Sequence, residues 1–82
     1  MARYYFDIRD GDELAMDEEG LELFELQAVQ AEAAKSLADV ARDAVHSFSH
    51  VKGGHRMAIE VRDASGPVMQ VQFIFEVKKL RH

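Results

Sequence analysis

Hydrophobic and polar positions alternate almost from the start of the chain. Tyr4, Phe6 and Ile8 fall on one side, with Arg3, Tyr5, Asp7 and Arg9 on the other, which predicts a half-buried strand over residues 3–9. Asp10-Gly11-Asp12 suits a tight turn, so the chain is expected to reverse into a short polar strand at residues 14–17. Glu18-Glu19-Gly20 ends that strand, and residues 21–23 lead onward. The period then changes. Leu26, Val29, Ala33, Leu37, Val40, Ala44 and Phe48 recur at steps of three and four, predicting one amphipathic helix over residues 25–50 that stops at Gly53-Gly54. Alternation returns with Met57, Ile59 and Val61 against Arg56, Ala58, Glu60 and Arg62, a strand at 55–62. Asp63-Ala64-Ser65-Gly66-Pro67 reads as a turn, and Met69, Val71, Phe73, Phe75 and Val77 mark a last strand at 67–77.

The order ββαββ, with one apolar face on each element, predicts an α+β two-layer sandwich: one long helix packed on a four-stranded, mainly antiparallel sheet, in a single domain over residues 1–82. In that arrangement nothing in the chain covers the second face of the sheet. A chain of 82 residues has only a small core. Without cysteine it has no disulfide or thiolate metal site to reinforce that core, so packing must hold it. No stretch approaches a membrane span and the first residues lack the order of a secretion signal, so a cytoplasmic protein with no membrane partner is expected. The net charge of −5 disfavours general attraction to nucleic acid, but it is uneven. Nine of the fifteen acidic residues fall between Asp7 and Glu25, opposed there only by Arg9.

Three stretches carry a likeness to known proteins: RYYFDIRDGD from Arg3, Asp17-Glu18-Glu19-Gly20-Leu21-Glu22-Leu23, and an alanine-rich helix with Ala28 and Glu32-Ala33. They resemble a family of short, uncharacterised bacterial proteins, common in alphaproteobacteria and classed as a domain of unknown function. Members of that family usually have proline and aspartate before the helix, where this chain has Phe24 and Glu25. The resemblance brings no catalytic residue, cofactor or ligand. A looser likeness, of topology alone, is to small antitoxin domains.

The candidate chemistry is thin. Asp10-Gly11-Asp12 and Asp17-Glu18-Glu19 offer oxygen ligands, but not at the spacing of a calcium loop. His46 and His50 stand one helical turn apart with His55 nearby, the start of a zinc site that lacks a fourth ligand, so no metal is assigned. Ser36, Ser47, Ser49 and Ser65 sit in no nucleophile motif, and a single helix on a sheet leaves little room for a pocket, so neither a catalytic residue nor a cofactor is expected. The chain is read as not an enzyme.

Two surfaces remain. The outward sheet positions Arg3, Tyr5, Arg9, Arg56, Arg62, Gln70 and Gln72 form a candidate binding face, interspersed with Asp7, Glu60 and Glu76 and flanked by Ile74. On the helix, Ala31, Ala34, Ala38, Ala41 and Val45 form a flank of small residues that would let a second copy approach. The tail Lys78-Lys79-Leu80-Arg81-His82 is read as a frayed, soluble end. The sequence thus points to a small protein-association domain whose partner is itself, as a homodimer, or another protein. The alternative is a nucleic-acid-binding or antitoxin-like regulator using the open sheet face. A third reading, an acidic inhibitor or nucleic-acid mimic, rests on the acidic run alone.

Overall fold

The computed structural model of the chain describes residues 2–48 and 54–81, and the side chains of residues 2–45 and 54–81. Its elements run β1 (Ala2–Asp10), β2 (Glu13–Ala15), β3 (Leu21–Leu23), α1 (Leu26–Phe48), β4 (Gly54–Asp63) and β5 (Gly66–Glu76). The sheet order is β2-β1-β4-β5, with β3 also pairing β1, and every pairing is antiparallel. The α+β sandwich expected from the pattern is therefore present. The strand count is not four, because residues 21–23 form a strand of their own. The second strand also lies at Glu13–Ala15 rather than 14–17.

Each tight turn follows from its residues. Gly11 adopts φ +61° between Asp10 and Glu13, the pair that opens the β1–β2 ladder, and its N–H donates to the Arg56 carbonyl (3.0 Å). At the other hairpin Asp63 pairs with Gly66, and Asp63 Oδ1 accepts from the Ser65 N–H (2.8 Å), an aspartate closing its own turn.

The helix needs its alanines for propensity and its larger residues for burial. Val29, Ala33 and Leu37 are buried with Met57, Ile59 and Val61 of β4 and Tyr4 of β1, and Ala41 is buried one turn further along the helix. Each large side chain so enclosed contributes about 1.5–3 kcal/mol. Phe6, Ile8, Met69, Val71, Phe73 and Phe75 pack around this centre and are partly exposed. Two expectations for the helix change. Leu26 opens the apolar stripe in sequence but, as the first residue of the helix, is 57% exposed. Ala41, placed on the small-residue flank, is buried in the core instead, while Ala31, Ala34, Ala38 and Val45 are exposed. No described helix is long and apolar enough to cross a membrane.

Candidate protein interface

β1 carries two partners on its outer side. β3 pairs with Ala2, Arg3 and Tyr4, and β2 pairs with Ile8, Arg9 and Asp10. Between them β1 has no strand neighbour on that side, and the segment joining β2 to β3 fills the gap. The Phe6 N–H, facing the break, donates to Asp17 Oδ2 (3.1 Å), while Asp17 Oδ1 accepts from the N–H groups of Glu19 (3.1 Å) and Gly20 (3.3 Å). One carboxylate thus supplies the acceptor that a strand would have offered there and folds its own turn.

The same segment covers part of the sheet face that was expected to be bare. Asp7, alternating outward from β1, is only 4% exposed. It accepts from the Asp17 N–H (2.9 Å) and from Arg62 Nε (2.9 Å), and Arg62 Nη2 donates onward to the Asp17 carbonyl (2.9 Å). The Arg62 guanidinium also lies 4.5 Å from the centre of the Tyr5 ring. Gly20 closes the lid at φ +72°. A Cβ there would stand 2.9 Å from Arg3 Cγ and from Tyr5 Cε1, so both the backbone and the space call for glycine.

Charge on the rest of this face is largely paired. Arg9 Nε donates to Glu60 Oε2 (2.6 Å), which also accepts from Gln70 (3.2 Å), and Arg3 donates to the Glu19 carbonyl (2.6 Å) and lies 3.6 Å from Glu22. The Arg9 hydrogen bond, opposed by desolvation and helped by its charge, holds the Glu60 carboxyl below its ordinary value. Burial pushes the Asp17 carboxyl up, but the three backbone donors and Arg62 outweigh it and hold that carboxyl below its ordinary value too. Of the arginines picked out from sequence, Arg3, Arg9 and Arg62 are therefore engaged within the chain, and Arg56 is exposed opposite Ile74. Gln72 is exposed, in register with Ala58.

The candidate metal ligands are not brought together in the described structure. His55 Nε2 meets Asp10 Oδ1, the His46 side chain and all of His50 lie outside the described residues, and among those residues no three His, Cys, Asp or Glu side chains converge. A dent of about 350 Å³ opens beside Arg3, Tyr5 and the 63–65 turn. The Arg3 and Asp63 groups lining it already have partners within the chain.

The feature that sequence reading passed over is the far edge. β5 is eleven residues long and, among the described strands, pairs with β4 alone. From Gly66 through Phe75 it has no charged side chain. Ile74 is 58% exposed on one face, while Met69, Val71, Phe73 and Phe75 remain partly exposed on the other. The signal was present in GPVMQVQFIF, but an apolar alternation looks the same at an edge as at the centre of a sheet.

The family described as Domain of unknown function (DUF6894) matches residues 3–74. No curated protein matches, and no solved structure matches.

Proposed function

We propose that the chain, which belongs to this family of unknown function, is a non-catalytic protein-association module that takes its partner by strand addition at β5. The observation behind this reading is that β5, without a charged side chain from Gly66 through Phe75, pairs among the described strands with β4 alone. An edge strand presents a row of backbone donors and acceptors, and proteins that do not use such a row normally break it with charge, proline or a bulge. Here the proline and the ladder irregularity both fall at the turn end, at Pro67 and between Val61 and Arg62, leaving the remainder regular. We place the work of the protein in the bacterial cytoplasm, a reading supported by the cysteine-free composition.

The nucleic-acid or antitoxin-like reading draws on Arg3, Tyr5, Arg9, Arg56 and Arg62; of these Arg3, Arg9 and Arg62 are held by carboxylates and carbonyls of the same chain, which leaves it with less support. The acidic-inhibitor reading has a similar difficulty, because Asp7, Asp10, Asp17 and Glu22 are already engaged by donors within the chain.

Strand addition is tested with a soluble peptide covering residues 66–76, titrated against the wild-type chain and against a variant with Gln70, Gln72 and Ile74 all changed to lysine. Saturable binding to the wild type, lost in a variant with an unchanged circular dichroism spectrum, is expected. Equal binding to both, or to neither at concentrations where the chain is monomeric, would overturn the proposal.

A further inference from the structure

We infer that the occupant of the β5 edge is β5 of a second copy, paired antiparallel about a two-fold axis that passes at Gln72. This rests on the strand-addition reading and adds the partner, its direction and its register.

The partner follows from how the two sheet edges differ. On the far side of β1 the edge is split into β2 and β3 of three residues each, with the gap between them filled by Asp17. Such an edge cannot accept a long strand, so a head-to-tail contact between β5 of one copy and the outer edge of another is closed off. Strand addition between copies then has to be β5 with β5. A patch that meets itself forms a closed dimer rather than a filament.

The direction follows from the two faces of the strand. Met69, Val71, Phe73 and Phe75 project toward the helix side, Gln70, Gln72 and Ile74 toward the other. A two-fold axis lying along the strand would pair β5 parallel but set the apolar row of one copy beside the glutamine row of the other. An axis perpendicular to the sheet pairs the strands antiparallel and sets apolar row beside apolar row, with both helices on one face. Only the second buries the exposed parts of those four side chains together.

The register follows from the ends. Pro67 has no N–H to give, and the strand ends at Glu76, so the usable ladder is residues 68–76. An antiparallel self-pair that uses all of it has its midpoint at Gln72. Val71 then faces Phe73 of the second copy, and Met69 faces Phe75. The same register runs the exposed basic residues Lys78, Lys79 and Arg81 of one copy along the turn that holds Asp63 in the other, so charge is complementary at both ends of the ladder.

The chain has no cysteine, which makes the register directly readable. Gln72→Cys should give a covalent dimer on mild oxidation, because residues opposite each other across an antiparallel pair have Cα atoms about 4.5–5.5 Å apart, within disulfide reach. Ile74→Cys, displaced from its own copy across the axis, should stay uncrosslinked under the same conditions. Gln72→Lys should weaken the dimer in sedimentation velocity by about fivefold or more, since like charges would oppose each other. Gln72→Glu should do the same, and an equimolar mixture of the two should recover dimer. A mixture that remains monomeric, or equal crosslinking at both positions, overturns the register. A wild-type chain that sediments as monomer up to high micromolar concentration, yet still binds the strand peptide through β5, overturns the dimer and leaves strand addition standing. A monomer that also ignores the peptide removes both.

Discussion

The two edges of this sheet meet the same problem with opposite construction. On the outer side of β1, the Phe6 N–H left between β2 and β3 is taken by one aspartate, and acidic side chains line the short strands that flank it. Along β5 there is an unbroken run without a charge. A protein of this size has little core to spare, and an edge that carries no such guard among the described residues is what the strand-addition proposal rests on. The guarded edge also shows what guarding requires here: a carboxylate of the right length, a glycine three residues later, and an arginine reaching across from β4.

Dismantling the guarded edge should have the largest effects. Arg62→Met leaves the buried Asp7 carboxylate without its cation and the Asp17 carbonyl without its donor, and should cost about 2–4 kcal/mol in urea unfolding. Asp17→Ala strips the partner from the Phe6, Glu19 and Gly20 N–H groups and should cost about 2–3 kcal/mol. It should also make the outer edge adhesive, so that light scattering rises with concentration where the wild type stops at a defined species. Gly20→Ala adds a methyl group where Arg3 and Tyr5 already stand, on a backbone that resists it, and should cost about 1–3 kcal/mol in the same assay.

Acid should act on the same region more gently. The Asp17 and Glu60 carboxyls are both held below their ordinary values, so the unfolded chain takes up protons first and stability is fully present above the ordinary carboxylate range. The urea midpoint should be level from neutral pH down to about 5 and fall below about 4 as the two groups protonate in the folded state. Asp17→Asn should flatten part of that fall. The smallest effect on folding belongs to the open edge: Gln72→Lys should change unfolding free energy by no more than about 0.5 kcal/mol at concentrations where the chain is monomeric. A large loss there would mean that β5 is a structural wall rather than a contact surface.

Much of the fold was legible because its long elements have long periods. β1, α1, β4 and β5 each carry several repeats of alternation or of three-and-four spacing, and Tyr4, Phe6, Ile8, Met57, Ile59 and Val61 were identified as core on that ground. β3 was not, because Leu21-Glu22-Leu23 is too short to establish a period and its partner on β1 is fixed only by the turn before it. Asp7 read as an outward, solvated charge, since alternation states which way a side chain points but not what lies over it. Asp17 and Gly20 did have a local signature, an aspartate with glycine three positions on, the spacing at which a carboxylate can hold the N–H groups that follow it. For the association surface the sequence pointed to the small-residue flank of the helix and to the sheet face with its arginines Arg3, Arg9, Arg56 and Arg62. Three of the four turn out to be occupied at home, and the edge beside them became the better candidate.

The placement of β1 also bears on the order in which a ribosome delivers the chain. Its long partner β4 is made only after the helix, with Asp10 waiting for Met57 and Tyr5 for Arg62. At ordinary rates of synthesis that interval is on the order of several seconds. β2, β3 and the Asp17 turn, by contrast, emerge directly behind β1. The nascent β1 can thus be wrapped by the segments that follow it on one side while the other side stays open for a strand not yet translated.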